Sequence, residues 1–79
     1  MAKEISDTTE MIARQIRLAV AEKSIAPSNE KLARETGLAA MSIGRYLKGE
    51  RAIPMPAYIA LCAALDIDPV EIMRLALDQ

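Results

Sequence analysis

Apolar residues recur in the first part of the chain at the spacing of one buried helix face. Between residues 7 and 23, four such positions follow at i, i+4, i+7 and i+8: Ile12, Ile16, Ala19 and Val20. This spacing is typical of an amphipathic helix with one face against a core. We therefore predict a first helix over residues 7–23. It is expected to end before Ala26 and Pro27, because proline has no amide hydrogen for the helix ladder.

A short second helix is expected to begin after Ser28, whose hydroxyl can accept a hydrogen bond from the free amides of a first turn. The inner face of this helix is narrow and consists of Leu32, Ala33 and Thr36. Gly37 follows at once, and a glycine directly after a helix usually adopts a left-handed conformation that turns the chain sharply. The pattern thus predicts a short helix followed by a tight turn.

A third helix is predicted from Ala39 or Ala40 to about Lys48, with Gly49 at its end. Its apolar spacing assigns four residues to the inside, namely Ala39, Ile43, Tyr46 and Leu47. The residues that remain outside are Met41, Ser42, Gly44, Arg45 and Lys48. This helix is therefore expected to have a partly basic outer face.

Two more helices follow a loop that is marked by Pro54 and Pro56. A stripe at i, i+3, i+4 and i+7 predicts the fourth helix, and its members are Tyr58, Leu61, Cys62 and Leu65. Asp68 and Pro69 then have the pattern of an N-cap and a first helical position, which predicts the start of a fifth helix. Because no strand pattern or internal repeat is present, we predict an all-α fold of five helices.

Length and composition agree with a single small helical domain over residues 1–79. Apolar residues make up 52% of the chain but aromatic residues only 3%, so the core must be mainly aliphatic. Aliphatic cores of this kind favour helices packed on helices. No apolar run approaches the ~18 residues that span a bilayer, and residues 1–7 lack the apolar segment of a signal peptide. We therefore expect no membrane association and a cytoplasmic location.

The residue types present leave little for catalysis or metal binding. The chain has one cysteine, Cys62, and no histidine, which excludes an internal disulfide and leaves too few ligands for a zinc site. It also offers no nucleophile–base pair and no glycine-rich phosphate loop. We expect Cys62 to be a core residue, and we expect the protein to be no enzyme and to need no cofactor or metal.

Charge is distributed unevenly along the chain although the net charge is only −1. Residues 1–30 include four basic and five acidic residues. Residues 31–51 include five basic and two acidic residues, and residues 52–79 include one basic and four acidic residues. The middle segment, which contains the second and third predicted helices, therefore carries a charge of +3. A local excess of positive charge favours a phosphate-binding face, whereas the overall charge balance argues weakly against one.

Three segments carry a recognisable pattern: LARETGL at 32–38, SIGRYLKGER at 42–51 and LCAALDI at 61–67. Together they resemble the Cro and phage-repressor family, also called the XRE family, over residues 12–73. The resemblance implies a compact five-helix domain with a central helix-turn-helix, whose third helix enters the major groove of DNA. It also implies that two copies bind an inverted-repeat operator.

The resemblance makes the outer face of the third helix the candidate base-reading surface. Arg45 is expected to contact O6 and N7 of guanine, and Ser42 a base edge or a phosphate; a solvated surface position is the alternative for each. Ala40 and Met41 occupy positions where relatives often carry long polar side chains. At these two positions we expect contact with thymine methyl groups, or specificity that depends on DNA shape. The alternative for Met41 is that its side chain covers part of the core or of a partner's surface.

Phosphate contacts are expected at both ends of the helix pair. Ser28 and Asn29 stand at the start of the second helix, and a helix N-terminus favours an anion. Lys48 and Arg51 are candidate phosphate clamps, with ordinary solubilising charge as the alternative. Gly44 costs about 1 kcal/mol relative to alanine inside a helix, which either a close approach to DNA or neutral drift would explain.

The fifth helix has more apolar surface than one core contact needs. One stripe, assigned to the core, consists of Ile72, Leu75 and Ala76, and a second consists of Val70, Met73 and Leu77. We expect the second stripe to form a homodimer interface across a two-fold axis. The alternative is that it packs on Ile5, Met11 and Leu18 of the same chain.

These inferences predict a sequence-specific transcriptional regulator, a repressor or Cro-like protein of a phage or bacterium. Its expected partners are double-stranded DNA and a second copy of itself. One alternative is a protein-interaction module, such as an antirepressor or adaptor, that kept the fold without DNA affinity and has a protein partner. Another is the antitoxin of a toxin pair, for which the short flanks leave little space.

Overall fold

The computed structural model describes residues 5–78 and, among them, the side chains of residues 7–78. This part of the chain contains five α-helices and no strand. The helices are α1 (Ile5–Ala21), α2 (Asn29–Thr36), α3 (Ala40–Leu47), α4 (Met55–Leu65) and α5 (Pro69–Leu77). The all-α, five-helix fold expected from the apolar periodicity is therefore confirmed.

One cluster of apolar side chains holds the helices together. It receives side chains from all five helices, and its buried members are Ile16, Leu32, Ile43, Tyr46, Ala57, Tyr58, Leu61, Cys62, Leu65 and Ile72. Around it, α1 packs on α5 and α3, and α2 packs on α3 and α4. Cys62 is fully buried as expected, and burial raises the pKa of its thiol, so the thiol is held in its neutral form.

The helix starts and stops follow from local side chains. The Ser28 hydroxyl accepts a hydrogen bond from the amide of Lys31 at 3.2 Å, and the Asp68 carboxylate accepts one from the amide of Val70 at 2.9 Å. Each bond satisfies an amide that lacks a partner within its helix. After α2, Gly37 has φ +78°, a left-handed conformation that side chains disfavour. The N-caps at Ser28 and Asp68 and the turn at Gly37 thus agree with the sequence pattern.

The prediction that Ala39 faces the core is wrong. Ala39 is exposed because it precedes α3 as its N-cap residue, with an extended backbone (φ −72°, ψ 138°), so its side chain does not lie on the inner face of the helix. Leu38 packs against the core instead. Leu75, which the pattern assigned to the inner stripe of α5, is 36% exposed. The first helix ends at Ala21, two residues before the predicted position.

A helix-turn-helix lies at the centre of the fold. It consists of α2, a turn over residues 37–39, and α3. The first helix of this pair packs on α4 and the second on α1, so the unit is supported from two sides. Within residues 5–78, none of the helices has the length and hydropathy of a segment that spans a lipid bilayer.

Candidate nucleic-acid interface

The two sides of α3 have different surroundings. Ile43 and Tyr46 point into the core and are buried. On the other side, Met41, Arg45 and Lys48 are all exposed and follow one another at i, i+4 and i+7, the spacing of one helix face. We call these three residues the outer stripe. It presents an apolar side chain near the N-terminus of α3 and two cations toward its C-terminal end.

The exposed cations on the outer face of α3 and just after its end form no salt bridge with any side chain that the structure describes. Within residues 5–78, the salt bridges involve Arg17 and Arg74, and none involves Arg45, Lys48 or Arg51. Arg51, which follows the end of α3 in the next loop, is also exposed. Because an unpaired surface cation interacts readily with an external anion, this part of the molecule suits a polyanion.

The N-terminus of α2 lies against α3. Asn29 is the first residue of α2 and is half-buried, and its side-chain amide nitrogen lies 3.4 Å from the position that a Cβ atom on Gly44 would occupy. A Cβ atom at Gly44 would therefore be in ordinary van der Waals contact with the Asn29 amide. The structure thus brings together Asn29 and Gly44, which the sequence alone did not connect.

The first turn of α3 has no capping side chain among the described residues, because its N-cap residue is Ala39. The amide groups of such a turn have no partner within the helix and are available to an external acceptor. Ala40 and Ser42 belong to this turn and are half-buried, whereas Met41 between them is exposed. The side chains of Ala40 and Ser42, on either side of Met41, are both small.

The C-terminal end of α3 is fixed by α1, which the sequence did not predict. The Arg17 guanidinium donates to the backbone carbonyl of Leu47 at 2.6 Å and to the Glu10 carboxylate at 2.8 Å. Gly49 then turns the chain with φ +78°, and a Cβ atom there would lie 2.1 Å from a Glu10 carboxylate oxygen. Arg17, Glu10 and Gly49 together form what we call the α3 anchor. It sets the position of the helix that carries the outer stripe.

The three residues assigned to a dimer interface differ in exposure. Val70 and Leu77 are 73% and 69% exposed, whereas Met73 is partly buried against the core. Met73 and Leu77 line a groove with Thr8 and Ile12 of α1. Leu18 lies in another groove beside Leu75. The Ile5 side chain, part of the alternative packing, lies outside the described residues.

Comparison with known proteins agrees with this geometry. The model of the family described as the Cro/C1-type HTH DNA-binding domain matches residues 11–78. Comparisons with curated proteins and with solved structures gave no match. The family match spans α2, the turn and α3. Members of this family typically have no enzymatic activity. The chain therefore belongs to the Cro/C1-type helix-turn-helix family, whose function is DNA binding in transcription regulation.

Proposed function

We propose that the protein is a sequence-specific regulator, a repressor or Cro-like protein, that binds an inverted-repeat operator as a homodimer. The observation that carries this proposal is the outer stripe, an exposed helix face on a supported helix-turn-helix. Its cations form no salt bridge among the side chains of residues 7–78. A helix of this width fits the major groove of B-DNA, where base edges are accessible. In this account the protein acts by occupying DNA and excluding polymerase, with no catalytic step, in the cytoplasm.

Each residue of the proposed interface has a role that its position supports. Arg45, in the middle of the outer stripe, reads guanine through O6 and N7. Lys48 and Arg51 bind phosphates beyond the end of α3, and their contacts add affinity without sequence preference. Ser28 and Asn29 bind a phosphate at the N-terminus of α2, where the helix dipole favours an anion.

A duplex titration tests the proposal. We expect the full chain to bind DNA from beside its own gene more tightly than random duplex of equal length, as measured by fluorescence anisotropy. Binding should weaken with salt, and the slope of log affinity against log salt should be about −0.9 for each phosphate neutralised. Absence of binding to either DNA at low salt would contradict the proposal.

That contradictory result would favour a protein-interaction module on the same fold. The observations in its favour are the net charge of −1 and the exposed Met41 at the start of α3. An apolar side chain at such a position suits a protein partner when no DNA is bound. The titration separates the two functions, because only the DNA-binding protein has a salt-dependent affinity for duplex.

The homodimer is proposed from the surface of α5. Val70 and Leu77 stand seven residues apart on one helix face, and both leave most of their apolar surface in contact with water. Each such side chain that becomes fully buried across a two-fold axis stabilises a dimer by about 1.5 to 3 kcal/mol. Dimerisation would also set two copies of α3 about one DNA turn apart, as an inverted repeat requires.

Sedimentation of charge variants tests the dimer. We expect a dimer at high micromolar concentration for the parent chain and a monomer for Leu77→Glu, because the introduced carboxylate would be buried in the interface. Ile59→Glu is the matched control, since Ile59 is an exposed apolar residue on α4, and it should remain dimeric. Met73→Glu is less informative, because Met73 also packs against the core. A parent chain that sediments as a monomer rules out this interface.

A further inference from the structure

Met41 is the residue of the outer stripe that phosphate and guanine contacts leave unexplained. It is the second residue of α3 and is 72% exposed, while the core beneath α3 is closed by Ile43 and Tyr46. Its neighbours Ala40 and Ser42 are small. The thioether side chain is therefore the largest apolar group on the side of α3 that faces away from the core.

The major groove offers an apolar side chain one specific partner. Base edges there present hydrogen-bond donors and acceptors, with the exception of the C5-methyl group of thymine. Methionine is unbranched, flexible and polarizable, so it can adapt to an irregular apolar surface. A methyl group in the groove and an exposed thioether on the entering helix are therefore chemically matched.

We propose that Met41 is a specificity-determining residue that binds the C5-methyl group of a pyrimidine in the major groove. In unmodified DNA that pyrimidine is thymine, and 5-methylcytosine presents the same group. The inference rests on the proposed function, because it requires α3 to enter the groove. It adds a preference for a methylated pyrimidine at one position of each half-site.

The helix geometry predicts where this pyrimidine lies. Met41 and Arg45 are four residues apart on one face, which corresponds to a rise of about 6 Å along the helix axis. Successive base pairs are about 3.4 Å apart. The methyl group read by Met41 should therefore lie within about two base pairs of the guanine read by Arg45.

The test replaces single thymines of the bound promoter DNA by deoxyuridine, which removes the methyl group and keeps the base pairing. We expect one thymine position in each half-site at which this change weakens binding about fourfold, the effect of removing one buried methyl group. At that position, 5-methylcytosine should bind about fourfold better than cytosine, which separates the methyl group from the rest of the base.

Two protein variants assign the effect to the side chain. Met41→Ala should bind the thymine and uracil duplexes equally. Met55→Ala is the matched control, because Met55 is 56% exposed but lines a groove with Thr8, Ile12 and Met73 that contains no residue of α3. Met55→Ala should keep the full discrimination between thymine and uracil.

The outcomes distinguish this inference from the proposed function. Duplex binding that is equally strong with thymine and uracil at every position overturns the inference and leaves the proposed function intact. Discrimination that persists in Met41→Ala also overturns it, as does a uracil effect without a matching gain from 5-methylcytosine. Absence of any duplex binding overturns the proposed function and this inference together, and it favours a protein partner for Met41.

Discussion

Replacing Arg45 by alanine is expected to weaken operator binding by about 1 to 3 kcal/mol in each half-site and to relax the preference at one base pair. The reason is that a bidentate contact to guanine discriminates among bases. Arg45 is exposed at the centre of the outer stripe and has no salt bridge to any described side chain. A dimer carries two such contacts, so the loss on the full operator should be about twice as large. Anisotropy titrations against the operator and its single-base variants measure both effects.

Lys48→Ala is the matched control for this prediction. Lys48 lies three residues further along the same stripe. It is also an exposed cation that forms no salt bridge within the described part of the chain. As a phosphate contact, it should affect all duplexes about equally and should lower the salt dependence of binding. If Arg45→Ala also weakens operator and random DNA to the same extent, Arg45 contacts only phosphate, and sequence reading must be assigned to other residues.

Replacing Gly49 by alanine is expected to destabilise the fold by roughly 1 to 3 kcal/mol. About 1 to 2 kcal/mol comes from the left-handed conformation at φ +78°. A smaller part, up to about 1 kcal/mol, comes from the close approach to Glu10, because its carboxylate is the end of a flexible side chain that can move aside. The new Cβ atom would lie 2.1 Å from a carboxylate oxygen of Glu10 and 3.3 Å from its Cα atom. Displacement of Glu10 would also disturb its salt bridge with Arg17, and hence the α3 anchor.

Gly37→Ala provides the comparison. Gly37 has the same φ of +78°, but a Cβ atom there would meet no described atom within 4 Å. Its substitution should therefore cost only the conformational strain, about 1 to 2 kcal/mol. Thermal unfolding of both variants measures the difference, and adding Glu10→Ala to Gly49→Ala should recover part of the extra loss. Equal destabilisation by the two glycine substitutions would show that the contact with Glu10 is unimportant.

The parts of the fold that depend on local sequence could be predicted. Apolar spacing identified the five helices, because a buried helix face repeats every 3.6 residues regardless of what it packs on. Ser28 and Asp68 indicated two helix starts, because capping bonds form within three residues. The prediction for Ala39 was wrong, because this residue would face the core only if α3 began one residue earlier than it does.

Contacts between distant residues could not be predicted in this way. Arg17 and Leu47 are 30 residues apart, and no periodic pattern indicates that a guanidinium of α1 reaches the last carbonyl of α3. The proximity of the Asn29 side chain to Gly44 likewise depends on how closely α2 packs on α3. Periodicity correctly placed Met41, Arg45 and Lys48 on the outside, because exposure on a helix follows from the inner face. Ser42 and Gly44, which it also placed there, are half-buried.

An NMR titration of the full chain with promoter duplex shows which surface of the protein binds DNA, because it reports on each backbone amide separately. We expect the largest chemical-shift changes in α3 and its C-cap residue Lys48, and at Ser28 and Asn29, and we expect them to diminish as salt is raised. We expect smaller changes along α4. Shift changes confined to α1 and α5, or no changes at low salt, would contradict the claim that the outer stripe of α3 binds DNA.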